Sequence, residues 1–205
     1  MLEYKGIQIE RICHSSFKIK DKNKTIYIDP YEIPRGSEVA DLIIITHDHF
    51  DHCSPVDVAK IKSTKTTTVT VKAAASKLSG IVKTVIPGDK ISIGDISIEA
   101  TPAYNIGKKF HPLENKWIGV IITISGVKIY HAGDTDLIPE MNRISCDIAL
   151  LPVSGTYVMT AEEAIKAASK IKATIFVPMH YGKVVGTLED AKKFCNGIKK
   201  QSFIL

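Results

Sequence analysis

The run DLIIIT, residues 41–46, is apolar without alternation, the pattern of a strand covered on both faces. HDHFDH, residues 47–52, follows with no intervening turn and brings His47, Asp48, His49, Asp51 and His52 to the strand's end. A hydrophobic core gains nothing from such groups, because each buried polar side chain needs a partner. The junction therefore requires a sheet-based fold in which a site is built where the chain leaves a strand.

The remaining chain supplies the layers for such a fold. IQIERICH, SFKIK and KTIYIDP, within residues 7–30, alternate with period two between polar turns and predict strands. A helix is predicted after the histidine motif, with Ser54 as its cap, Pro55 at its first position and Asp57 completing a capping pattern. TTTVTV predicts a strand and KAAASKLSG a short helix closed by Gly80. VKTVIP, KISIG and ISIEATPAY predict further strands, and WIGVIITIS with VKIYH predicts a hairpin about Gly126. In the last third, IPEMNRI, TAEEAIKAASKI and TLEDAKKFCNGI predict helices between the strands DIALLPV and ATIFVPMH. A strand-rich first half and an alternating end imply one layered domain over residues 1–205, with helices outside the sheets.

Composition narrows the classes of function. No apolar run approaches the roughly 20 residues that span a bilayer, and the start MLEYKGIQIE is polar and alternates like a strand. A soluble, cytoplasmic protein without a membrane partner is expected. Cys13, Cys53, Cys146 and Cys195 lie far apart and form no CxxC pair, so incidental thiols are expected rather than a disulfide framework. The net charge of +5 comes from dispersed lysines; GKK at 107–109 and IKK at 198–200 lack interleaved aromatics. That pattern fits a solvated face and argues against a nucleic-acid partner.

The histidines carry the chemistry. They stand at 14, 47, 49, 52, 111, 131 and 180, most of them at predicted strand ends or in adjoining loops. In extended backbone His47 and His49 point the same way and can hold one ion through imidazole nitrogens, while Asp51 and His52 can hold a second. Imidazole and carboxylate together suit zinc first, with manganese, iron or nickel as alternatives. Downstream, YHAGDT places Asp134 after a strand, and VPMHYG ends another strand at His180. An aspartate can bridge two ions about 3.5–4 Å apart.

HDHFDH, then HAGDT, then PMHYG resemble, in order, the motifs of the metallo-β-lactamase superfamily. CHSSFKI, TPAYN and YHAGDT resemble more narrowly its simple hydrolases, the branch containing ascorbate-6-phosphate lactonase. The resemblance covers essentially the whole chain and implies an α+β fold, an αββα four-layer sandwich with a dinuclear metal site along one edge. It implies His47 and His49 on a first divalent ion, Asp51, His52 and His180 on a second, and Asp134 bridging. A further histidine is normal for the first ion, but TPAYN offers Asn105 at its usual place. His111 in KKFHP can reach the same spot across a six-residue loop, which could serve as a lid; Asn105 or solvent are the alternatives. Asp29 is a candidate to orient a metal-bound imidazole, and His14 either binds substrate or is a satisfied core histidine. His131 is expected to pack or hydrogen-bond beneath the bridge rather than to bind metal, and Asp48 to point away. Tyr104, Tyr157 and Tyr181 are packing groups or donors to substrate.

The function so implied is hydrolysis of a small-molecule ester, lactone or phosphodiester by a hydroxide held between two divalent ions, with Asp51 orienting it or moving a proton. The alternatives are a nuclease of the same superfamily and a non-catalytic protein that uses the metal cage for structure or sensing. No nucleophile elbow is present, so acyl-enzyme chemistry has no support.

Overall fold

The computed structural model describes residues 1–205. Two seven-stranded sheets each take their strands in chain order. The first holds β1 (Leu2–Tyr4), β2 (Ile7–Cys13), β3 (Ser16–Lys20), β4 (Thr25–Ile28), β5 (Leu42–Ile45), β6 (Thr67–Thr70) and β7 (Ile81–Thr84). The second holds β8 (Lys90–Ile93), β9 (Ile96–Pro102), β10 (Ile118–Ile124), β11 (Val127–His131), β12 (Ile148–Pro152), β13 (Ile175–Met179) and β14 (Gln201–Ser202). Helices α1 (Pro55–Ile61) and α2 (Lys72–Ala75) join strands of the first sheet, and α3 (Ala161–Lys170) and α4 (Leu188–Gly197) join strands of the second. This is the αββα sandwich that the motifs imply.

One topology occurs twice. In each sheet the first four strands form an antiparallel meander, and from the fourth strand onward every pairing is parallel. The sequence predicts different characters for the two ends of the chain; the structure repeats one plan, because β5, β6 and β7 are joined through α1 and α2 as β12 and β13 are through α3. Parallel strands buried on both faces explain the unbroken apolar runs: β5, β12 and β13 have no exposed residue. Their side chains enter one contiguous cluster of 54 buried residues drawn from both sheets and the helices.

Local chemistry sets the helix starts. Thr160 and Glu163 cap α3 reciprocally, as do Thr187 and Asp190 for α4. At α1, Ser54 caps as expected by accepting from the Asp57 amide at 3.3 Å. The Asp57 carboxylate does not return to the cap: it accepts from the amides of Glu32 and Ile33, each at 3.0 Å, and so ties the loop after β4 to α1.

At one edge the two sheets are stitched directly. The Ile118 amide donates to the Thr46 carbonyl at 3.2 Å, and the His180 amide to the His14 carbonyl at 3.1 Å. His131 makes the third link. Its Nδ1 accepts from the Gly133 amide at 3.2 Å, so Nε2 carries the proton and donates to the Ser15 carbonyl at 2.9 Å. Gly133 has φ +64°, and a Cβ there would stand 2.6 Å from the Ile118 carbonyl oxygen, so the turn after β11 admits only glycine. The loops emerging at this stitched edge build the site. No helix is long and apolar enough to cross a membrane.

Candidate metal centre

Two groups of ligand-type side chains meet at that edge, and a third, His47, His52 and Asp134, overlaps both. His47, His49 and His111 place one donor atom each within 4.8 Å of one another, and His14, Asp51, His52 and His180 do the same. Asp134 lies between the groups. Its Oδ2 is 2.9 Å from His180 Nε2, 3.2 Å from His111 Nε2 and 4.0 Å from His47 Nε2, while Oδ1 is 3.2 Å from His52 Nε2. All seven candidate ligands read from the sequence are therefore brought together, and His14 joins them.

The imidazoles are held from behind. Asp29, at the end of β4, accepts from the Thr46 amide and hydroxyl at 2.7 Å each, and its Oδ2 lies 2.7 Å from His52 Nδ1. That contact fixes the His52 ring and leaves Nε2 facing Asp134. Thr46 Oγ1 lies 3.0 Å from His47 Nδ1, and Ser154 Oγ lies 2.8 Å from His180 Nδ1. Asn105 is a brace beneath His111: its Oδ1 accepts from the His111 amide at 3.0 Å and lies 3.1 Å from His111 Nδ1, and its Nδ2 donates to the Tyr157 carbonyl at 2.9 Å. The single tryptophan, Trp117, lies with its ring 4.8 Å from those of His47 and His49 and 5.4 Å from that of His111. Sequence reasoning missed Ser154 and Trp117. Neither has a motif; Trp117 shows only as a lone aromatic where the loop returns to β10.

The loop from Asn105 to Asn115 is stapled where the sequence allowed a lid. The Asn105 amide donates to the His111 carbonyl at 2.7 Å, and the Asp136 carboxylate accepts from the Ile106 amide at 2.8 Å and from Lys108 at 2.6 Å. His111 is buried and seated by protein contacts. The Tyr181 hydroxyl donates to the Leu205 carbonyl at 3.3 Å and the Tyr104 hydroxyl to Glu140 at 3.1 Å, so neither serves as a free donor; Tyr157 lines the cavity of the site.

Electrostatics at the centre pull its groups in opposite directions. Burial opposes charge on His52, yet the Asp134 and Asp29 carboxylates outweigh it and hold its pKa well above the usual imidazole value. Burial likewise opposes the Asp134 carboxylate, but His180 and His52 pull its pKa well below the ordinary range. His47 is driven the other way, well below its usual value, first by burial and then by charge on His52. Fully buried polar atoms without hydrogen-bond partners cluster here: both nitrogens of His14, Nε2 of His52 and of His111, and Oδ1 of Asp134. Such atoms are rare in a folded interior and costly. Packed around one centre, imidazole nitrogens and carboxylate oxygens that approach each other without hydrogen-bonding fit divalent cations as the missing partner.

Asp48 stands apart from these groups and pairs with Lys77 at 3.0 Å in a partly exposed position. Asp48→Asn is expected to leave metal content and catalytic efficiency within about twofold of the parent, since exposed ion pairs are worth about 0–1 kcal/mol. Elemental analysis beside steady-state rates checks this; a variant depleted in metal would place Asp48 inside the centre.

The paired-sheet architecture and the histidine–aspartate centre define a metallo-β-lactamase-type protein. The family model described as the β-lactamase superfamily domain matches residues 8–180, a span that contains every side chain of both groups. The chain belongs to that superfamily and is a metal-dependent hydrolase. It is 33% identical to a UPF0173 metal-dependent hydrolase of Methanoculleus marisnigri, over 93% of this chain and 88% of the relative. A Staphylothermus marinus protein of the same name is 34% identical over 91% of this chain and 88% of its own length. Among solved structures, a candidate metal-dependent hydrolase of Parabacteroides distasonis superposes with a TM-score of 0.84 at 33% identity, covering 97% of this chain and 92% of that one. A metallo-hydrolase of Ignicoccus hospitalis shares the fold at a TM-score of 0.77 and 24% identity, over 97% and 94% of the two chains.

Proposed function

We propose that this hydrolase works with two divalent ions, zinc first with manganese, iron or nickel as alternatives, on a small neutral ester or lactone. His47, His49 and His111 would hold one ion, Asp51, His52 and His180 the other, and Asp134 would serve both. When bound, such ions supply a hydroxide nucleophile near neutral pH and stabilise charge developing on the substrate's carbonyl oxygen. The chain's own residues do the rest. Asp29, Thr46, Ser154 and Asn105 fix the imidazoles, and Asp51, at the wall of the cavity, is placed to pass a proton to the leaving group.

One observation carries the substrate reading. A cavity of about 210 Å³ opens on His49, Asp51, His111 and Asp134, and its other walls are Phe50, Phe110, Tyr157 and Val184. That volume is below the roughly 300–1,000 Å³ of common ligand sites, so the substrate is small. No lysine or arginine lines it, so a phosphodiester's charge meets no cation from the protein, whereas an apolar acyl or alkyl group meets two phenylalanines. The same absence disfavours a nuclease, and a cavity opening on the centre fits catalysis better than a closed sensing cage.

The test is a panel of short p-nitrophenyl esters, γ- and δ-lactones and bis(p-nitrophenyl) phosphate, assayed with Zn or Mn and after chelation. The expected result is metal-dependent turnover, with kcat/KM for the best ester or lactone at least about tenfold above the phosphodiester, which is about 1.4 kcal/mol of transition-state discrimination. Preference for the phosphodiester sinks the substrate reading, and equal rates with and without metal sink the mechanism.

A further inference from the structure

We propose that His14 is a fourth protein ligand of the second metal position, with Asp51, His52 and His180. The proposal rests on the dinuclear reading above and assigns within it a residue for which the sequence left only a substrate contact or a core histidine.

His14 does not fit the core role. A histidine in a protein interior satisfies its ring nitrogens with neighbours or water; here both nitrogens of a fully buried ring have no hydrogen-bond partner. Nor does it fit contact with a substrate in the site cavity, because it is 0% exposed and the pocket it borders, with Arg11, Glu32 and Lys183, is a different one. Its surroundings are ligand-type groups. The ring centroid lies 4.0 Å from that of His180 and 6.2 Å from that of His52, and Nε2 lies 3.3 Å from Asp51 Oδ2.

The backbone is shaped to deliver it. His14 and His180 both adopt the left-handed region, at φ +51° and +59°. Side chains other than glycine rarely do so, and such strain clusters at functional sites. The two strained residues are locked to each other: the His180 amide donates to the His14 carbonyl at 3.1 Å, and Arg11 Nε donates to the same carbonyl at 2.9 Å. The other end of the Arg11 guanidinium donates to the Tyr181 carbonyl. One arginine therefore clamps both imidazole-bearing turns, one from each sheet.

The repeated topology gives an independent reason. His14 sits in the connection between the second and third strands of the first sheet, β2 and β3. His111 sits in the connection between the second and third strands of the second sheet, β9 and β10. Each half of the fold thus sends a histidine from the same connection, one to each group. The cavity touches His49 and His111 of the first group and Asp51 of the second, with Asp134, but none of His47, His14, His52 and His180.

The experiment is titration of metal-stripped protein with Zn(II) by calorimetry, and with Co(II) by its visible spectrum, for the parent, His14→Gly and His14→Asn. Glycine and asparagine accept the left-handed backbone, so either variant keeps the turn. The expected parent result is two tight sites. In both variants one site should weaken at least about 100-fold, the upper end for losing even an outer-sphere partner of a metal ligand, with the other unchanged. Added imidazole should restore much of the loss in His14→Gly and nothing in His14→Asn. Two sites of parental affinity in folded His14→Gly and His14→Asn would overturn the His14 assignment while leaving the dinuclear reading intact. A parent that binds fewer than two ions would overturn both. Equal weakening of both sites without imidazole rescue would make His14 a structural residue and likewise overturn the assignment.

Discussion

Asp134→Asn is expected to abolish practical hydrolysis, lowering kcat/KM by about two to four orders of magnitude, and to reduce bound metal below two ions per chain. Asp134 is 3% exposed and is the only carboxylate that approaches both groups, with Oδ2 facing His111 and His180 and Oδ1 facing His52. Its carboxylate can accept on both oxygens, whereas asparagine presents one oxygen and one amide NH2. In either orientation that NH2 faces an imidazole nitrogen that a metal would need free, and one negative charge is lost from the centre. At about 1.4 kcal/mol per decade, the expected loss of kcat/KM corresponds to about 3–5 kcal/mol of transition-state stabilisation. The measurements are metal stoichiometry by elemental analysis and steady-state rates on the best panel substrate, with circular dichroism to establish folding. A folded variant that retains two ions and more than about a tenth of parental kcat/KM, a loss of under 1.4 kcal/mol, would remove Asp134 from the bridging role.

How much of this was legible in the sequence depends on whether the physics is local. The buried strand before HDHFDH, the Ser54, Thr160 and Thr187 caps and the hairpin at Gly126 follow from neighbours in the chain, and the structure contains each of them. HDHFDH itself holds four of the candidate ligands within six residues, so alternation and a strand end suffice to bring them near one another. The duplicated topology was not legible. Hydrophobic period reveals that a segment is a strand, but not which strand it pairs with, and the two halves end corresponding strands differently. His47 follows β5, whereas Val153 and Ser154 follow β12. Asp57 illustrates a near miss: its spacing from Ser54 predicts a reciprocal cap, but the loop after β4, remote in sequence, captures the carboxylate. His14 is the extreme case. CHSSFKI carries a family resemblance and leaves His14 between substrate and core, but nothing in it groups the histidine with Asp51, His52 and His180, which reach it only through the packing of two sheets.

His111→Ala is expected to weaken the first metal position by at least about 100-fold, the top of the range for disturbing a metal ligand's surroundings, and to leave the second position at parental affinity. The separation follows from the geometry. His111 groups with His47 and His49, and it touches the second group only through the shared Asp134 carboxylate, 3.2 Å from His111 Nε2. Without it the protein offers that position two imidazoles and one oxygen of Asp134. Asn105 cannot take over, because its oxygen is engaged by the His111 amide and its NH2 by the Tyr157 carbonyl, both behind the ring. Its part is to hold His111 still. Asn105→Ala should therefore weaken the same position less, by about tenfold, the low end for an outer-sphere partner, since the Tyr157 carbonyl still lies 3.2 Å from His111 Nδ1. Competition titrations with a chromophoric chelator, resolved into two binding events, measure both effects. His111→Ala protein that binds both ions as tightly as the parent would show that the first position is completed by solvent. Asn105→Ala losing more than His111→Ala would instead make the amide oxygen the ligand and the imidazole its support. The ordering of the two variants thus decides between histidine and asparagine as the third donor of the first position.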